Sequence, residues 1–199
     1  MWPVKHIVPL IALWLILDYR FYSYLHPAAY FAAALIIVVV GLWLARRNRF
    51  DDVRLHLPKL DDWRVAGLVL IALLVVLIPL GLVLDFIRFT PSWGRLQRTA
   101  IEAIFIFFFI ALPEEIIFRG LIQKTLQALS GNAVLALTIA SILFGLAHLH
   151  KRADFPNWRY ALLAAIAGLG YGIAFQRRGL VASSLAHTLV SVIWRLFFR

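Results

Sequence analysis

Apolar runs long enough to cross a bilayer recur along this chain, and that recurrence restricts its fold more than any other feature. They lie at about 7–17 (short unless its flanks are used), 28–45, 65–84, 100–118, 133–149, 159–175 and 180–198. A helix needs roughly 20 apolar residues to cross a ~30 Å hydrocarbon core. In lipid every backbone N–H and C=O must be satisfied internally, so a spanning chain is a helix or a closed barrel. The runs here are continuous rather than alternating, which selects helices. The expected fold is therefore all-α, a polytopic transmembrane bundle of about six to eight helices. With 63% hydrophobic residues and a mean hydropathy of +0.86, the chain lies well above an ordinary soluble domain, which is nearer half apolar.

The punctuation supports this division. Pro27 opens the second run and Arg46-Arg47-Asn48-Arg49 closes it. Ser130-Gly131-Asn132 separates the fourth run, extended as a more polar helix to Leu129, from the fifth, as a turn and cap signal. The 199 residues suffice for one membrane domain, in which 1–99 is expected to be scaffold and a possible substrate gate and 100–199 to carry the chemistry. The linker 46–64 holds six Lys/Arg, which favours a cytoplasmic side for it, although the bias summed over alternating loops is slight. The N-terminal run reads as a retained span, because Asp18-Tyr19-Arg20 follows it instead of a small-residue cleavage site.

Composition excludes several chemistries. Cysteine is absent, so the chain has no disulfide framework, thiolate nucleophile or cysteine zinc site. The net charge of +10 fits basic loops beside an anionic leaflet, and no aromatic-plus-basic module points to nucleic acid. No nucleophile elbow surrounds Ser183 or Ser184, which are expected to bond backbone within the bundle. No internal repeat is visible, which weakens a transporter reading. Gly168, Gly170 and Gly172 are expected to permit close helix packing. Gln123 and Lys124 read as the polar face of the helix extension, His150 as solvated and Glu102 as peripheral.

Adjacent acids interrupt one of the most apolar segments: Ile106-Phe107-Phe108-Phe109-Ile110-Ala111-Leu112-Pro113-Glu114-Glu115-Ile116-Ile117-Phe118-Arg119. A carboxylate at membrane depth costs about 2.5–3.5 kcal/mol on insertion scales, so such groups mark function by default. Glu115 and Arg119 are four apart and share a helix face. Glu114 points about 100° away, free to face a cavity. Pro113 removes a backbone donor and is expected to open the helix locally. His148, with Phe144 one turn before it, and His187, with Ser191 one turn after it, lie in other apolar runs. Carboxylates with two imidazoles suit the activation of water and the stabilisation of an oxyanion. The same set would also suit a zinc ion held by Glu114, His148 and His187, and the residues alone leave both uses open.

Pro113-Glu114-Glu115-Ile116-Ile117-Phe118-Arg119-Gly120 resembles the EExxxR motif of the CPBP intramembrane proteases, the CAAX proteases and bacteriocin-processing enzymes also called the Abi family. Phe144 to His148 matches that family's FxxxH motif, and His187 the histidine of its HxxxN or HxxxD motif. The resemblance covers about residues 100–191 with the motifs in the family's order. It implies an integral membrane endopeptidase, here expected in a bacterial inner membrane, acting on a membrane-anchored protein or peptide. In that reading Glu114 activates water, Glu115 with Arg119 assists or orients, His148 positions the water and His187 stabilises the oxyanion. The resemblance favours a glutamate mechanism without a cofactor, with zinc as the alternative. Ser191 departs from the family's Asn or Asp. A non-enzymatic membrane immunity or partner protein, or a proton-coupled carrier, is the competing class.

Overall fold

A computed structural model describes residues 8, 9, 11, 12, 14, 27–92, 94, 96–151 and 155–198. The first expected span, 7–17, lies mostly outside the described residues, as does Asp18-Tyr19-Arg20. From residue 27 onward the described chain forms six helices: α1 (Pro27–Arg47), α2 (Leu60–Val83), a long α3 (96–130), α4 (Ala133–Leu146), α5 (Trp158–Arg178) and α6 (Leu180–Phe197). Among the described residues no strand forms beyond one isolated bridge between Phe89 and Phe198. Four helices, α1, α2, α5 and α6, are long and apolar enough to cross a membrane, and α4 is a shorter apolar helix.

Local chemistry sets the boundaries. Arg46 and Arg47 occupy the last turn of α1, where cations complement the helix dipole. The Asn48 side-chain amide then donates to the Leu44 carbonyl at 2.7 Å. Asp62 caps α2 by accepting from the Lys59 N–H at 2.8 Å. Gly131 takes a left-handed conformation at φ 65° and ends α3. Asn132 starts α4 by accepting from the N–H groups of Val134 and Leu135, both at 3.0 Å.

α3 does not run as one regular helix. Two π-helical segments, Phe107–Ala111 and Ile116–Gln123, flank a single α-turn, Leu112–Glu115. Pro113 supplies the cause, since it lacks the N–H that an α-helix would aim at carbonyl 109. The Tyr30 hydroxyl of α1 donates to that Phe109 carbonyl instead, at 3.1 Å. π-Bulges gather at functional sites, and this one carries the paired glutamates.

α2 packs against both α5 and α6, α4 packs against α5, and α1 covers the π-helical part of α3. At one end of the bundle the 48–59 loop ties the elements together. The Asp52 carbonyl accepts from the Leu180 N–H at 3.0 Å, and its carboxylate accepts from Lys124 Nζ at 2.6 Å. The fully buried Asp62 pairs with Arg178 at 3.3 Å. Gly179, between α5 and α6, has φ 80° and ψ −163°, a region open essentially to glycine. A Cβ there would lie 2.6 Å from the Asp52 carbonyl oxygen. At the opposite end, the N–H groups of Thr90 and Ser92 donate to the last carbonyls of α6, at 2.8 and 2.9 Å.

Gly179→Ala is expected to destabilise the fold by about 1–3 kcal/mol, through backbone strain and the clash with Asp52. Thermal unfolding in detergent measures it, and an unchanged midpoint would contradict the packing at this corner.

Candidate active site

Three helices bring the polar residues together inside the bundle. Glu114 and Glu115 come from the α-turn of α3, His187 from α6, and His148 from the turn that ends α4. Glu114, Glu115, Arg119, His148 and His187 are all at least nine-tenths buried. Phe144 forms an apolar floor beneath them. Its ring centroid lies 4.7 Å from that of His148 and 5.8 Å from that of His187. The Arg119 guanidinium carbon sits 5.3 Å from its centre, a cation–π contact that gains strength away from water.

Glu115 is the most heavily bonded group. Its Oε2 accepts from Arg119 Nε at 3.1 Å and from the Ser183 hydroxyl at 2.5 Å. Its Oε1 lies 3.0 Å from His187 Nδ1. An ionised carboxylate only accepts, so this contact places a proton on His187 Nδ1. In the singly protonated ring, Nε2 then keeps its lone pair, and it faces Glu114 Oε2 across 3.9 Å. The Tyr171 ring of α5 stacks on His187 at 4.6 Å with an interplanar angle of 9°, fixing the imidazole plane.

His148 is set in the same way. Its Nδ1 lies 2.7 Å from the Phe144 carbonyl, and a carbonyl only accepts, so Nδ1 carries the proton and Nε2 the lone pair. Lys151 Nζ approaches that Nε2 at 3.3 Å and Glu114 Oε1 at 3.5 Å. Glu114 therefore has an ammonium near one oxygen and an imidazole facing the other. The arrangement can accept a proton at Glu114 from a molecule whose second hydrogen-bond partner is an imidazole nitrogen.

Small residues on α5 make room for this cluster. A Cβ on Gly168 would come within 3.2 Å of Arg119 Nη2, and one on Gly172 within 2.9 Å of Gln123 Oε1. Gln123 is fully buried, which corrects its reading as part of a polar outer face. Its amide and both Nη atoms of Arg119 have no hydrogen-bond partner among the described residues. The Ser184 hydroxyl also has none there, contrary to expectation. The Ser183 hydroxyl lies 2.9 Å from the Tyr171 carbonyl, the backbone contact expected, and shares its one proton between that oxygen and the nearer Glu115 Oε2. Ser191 is half-buried, and its hydroxyl enters no hydrogen bond among the described residues. Glu102 pairs with Arg98 at 3.1 Å, away from this cluster.

Sequence reasoning did not place Ser183, Tyr171 or Lys151 at the site. Ser183 carried a usable signal, since it lies one turn before His187 and shares its face. Lys151 follows His148 by three residues, but a polar flank, Lys151-Arg152, read as solvated loop.

As arranged, the zinc donor set fits a metal ion poorly. Among the described residues no three of His, Asp and Glu are gathered to hold one. The Lys151 ammonium lies against both Glu114 and His148, where a cation would be drawn.

Arg119→Met removes the one Lys or Arg bonded to Glu115 among the described residues and leaves a buried carboxylate without it, so a loss of about 3–5 kcal/mol is expected. A chemical or thermal denaturation series in detergent reads it. Wild-type stability in this variant would contradict the pairing.

Comparison with known proteins points to one family. Residues 96–193 match the family model described as Type II CAAX prenyl endopeptidase Rce1-like. No curated protein and no solved structure matches the chain.

Proposed function

Through residues 96–193 the chain belongs to the Rce1-like family of type II CAAX prenyl endopeptidases, and from that premise we propose that it is an intramembrane endopeptidase in which Glu114 activates water. The observation that carries this reading is the convergence of Glu114, His148 and His187 from three helices onto one buried cluster, with Glu115 and Arg119 behind it. Its substrate is a membrane-anchored protein or peptide. A C-terminal peptide carrying a prenylated cysteine is the first to test, given the family's description.

In the proposed reaction a water donates one hydrogen bond to Glu114 and one to the His148 Nε2 lone pair. Glu114 takes the proton as the water oxygen bonds the scissile carbonyl carbon. His187 Nε2, when that ring carries a second proton, donates to the oxyanion, and Glu115 at Nδ1 offsets the imidazolium charge. The C–N bond then breaks as Glu114 returns its proton to the leaving amine. The products are a carboxylic acid and an amine, which leave as carboxylate and ammonium once the acid proton passes to the amine. The low-dielectric setting strengthens each of these interactions relative to water. Residues 1–99 supply scaffold, and Tyr30 supports the helix that carries Glu114.

Purified protein in liposomes, given a panel of membrane-anchored peptides, tests the reading. Glu114→Ala is expected to reduce cleavage by about 10²–10⁴-fold with folding intact, and a chelator to leave the wild type active. Full activity in Glu114→Ala would refute the assignment of the base. Wild-type cleavage lost on chelation would restore the zinc reading. An immunity phenotype that survives loss of both Glu114 and His148 would favour a binding protein.

A further inference from the structure

We infer that Lys151 is a positioning residue of this site, a built-in cation that orients Glu114 and completes the charge of the buried cluster. The inference rests on the peptidase reading for its kinetic consequence, but not for its geometry.

Charge is the first argument. Both carboxyl groups of Glu114 and Glu115 are at least nine-tenths buried, where an ion without a counter-charge is strongly disfavoured. Among the described residues Arg119 pairs with Glu115. Lys151 brings a cation to Glu114, with its side chain only 20% exposed. It faces the glutamate that Arg119 does not bond, so each carboxylate has its own cation.

The second argument is placement. α4 holds 14 residues, about 21 Å at 1.5 Å per residue, so it stops well short of a ~30 Å hydrocarbon core. Its terminal turn lies among the other helices, as the burial of His148 there shows. Lys151 is held there by its backbone. Its N–H donates to the His148 carbonyl at 3.1 Å, and its own carbonyl accepts from the buried Asn157 side chain at 2.9 Å. The Asn157 N–H also donates to the Leu149 carbonyl at 2.7 Å. Asn157 in turn caps α5 by accepting from the Tyr160 N–H at 3.1 Å. The turn from His148 to Lys151 thus brings the ammonium back beside the imidazole.

The consequence for the reaction is directional. Lys151 engages Glu114 Oε1, which leaves Oε2, the oxygen facing His187, as the proton acceptor. In the resting cluster the ammonium also donates toward His148 Nε2, and the incoming water takes over that lone pair. Removing the charge should leave substrate binding largely intact and slow the chemical step.

Two measurements decide it. A membrane-permeant carbodiimide joins a carboxylate and an amine in contact, forming an amide as the reagent takes up the water. Mass spectrometry of treated wild type should recover a Glu114–Lys151 link beside an Asp52–Lys124 link, whose 2.6 Å contact is the internal control. Recovery of the control link alone overturns the placement. In the cleavage assay, Lys151→Met should lower kcat by about 10–100-fold with KM changed by less than about threefold, and Lys151→Arg should recover most of the loss. A Lys151→Met enzyme as fast as wild type, or faster, overturns the role. Wild type that cleaves nothing counts against the peptidase reading instead, and the cross-link then decides the place of Lys151 by itself.

Discussion

A carboxylate taken fully out of water must be answered from every side, and the arrangement of this bundle follows from how Glu115 is answered. Arg119 reaches it from the next turn of α3, Ser183 and His187 from α6, and together they occupy both of its oxygens. The bonds are charge-assisted, roughly twice as strong as neutral ones, and their partners come from elements far apart in sequence. Glu115 therefore fixes the register of α6 against α3 while it fixes the tautomer of His187. One anchor thus sets both the helix packing and the cluster in which Glu114 faces His187 Nε2.

The irregular path of α3 has the same origin. A continuous α-helix with Pro113 at its centre would lose a hydrogen bond in surroundings that offer no water to replace it. The helix instead widens on both sides of Leu112–Glu115, and Tyr30 serves a carbonyl there. α5 answers with glycines: Gly168 and Gly172 let the Arg119 and Gln123 side chains lie against its backbone. The aromatic side chains Phe144 and Tyr171 fill the remaining faces of the two imidazoles. Positional precision in the cluster is thus a product of packing as well as of charge.

Much of this was legible in the residues. Hydropathy placed the described helices to within a few positions, because a spanning segment is read by length and composition alone. The Glu115–Arg119 pair followed from a four-residue spacing, and the break at Pro113 from a missing N–H. His148 and His187 were selected by their place in apolar runs and by a family resemblance. The misses share a physical cause. Lys151 and Gln123 are ordinary surface residues by type, and their burial depends on how short α4 is and how closely α5 approaches. Ser183 acts through a contact 68 positions away in sequence, which no local pattern encodes. The Ser191 hydroxyl, one turn after His187 in place of the family's Asn or Asp, is half-buried and bonds nothing among the described residues; the hydroxyl that reaches the glutamate lies one turn on the other side of the histidine.

The central claim is that Glu115 holds His187 by Nδ1 and so turns Nε2 toward Glu114. Solid-state NMR on protein in lipid bilayers, with labelled glutamate carboxyl carbon and histidine nitrogen, measures that contact directly. The account predicts strong dipolar coupling between the Glu115 carboxyl carbon and a protonated Nδ1 of His187, as a 3.0 Å oxygen-to-nitrogen approach requires, and loss of that signal in Glu115→Ala. Coupling through Nε2 instead, or none in the wild type, would contradict it.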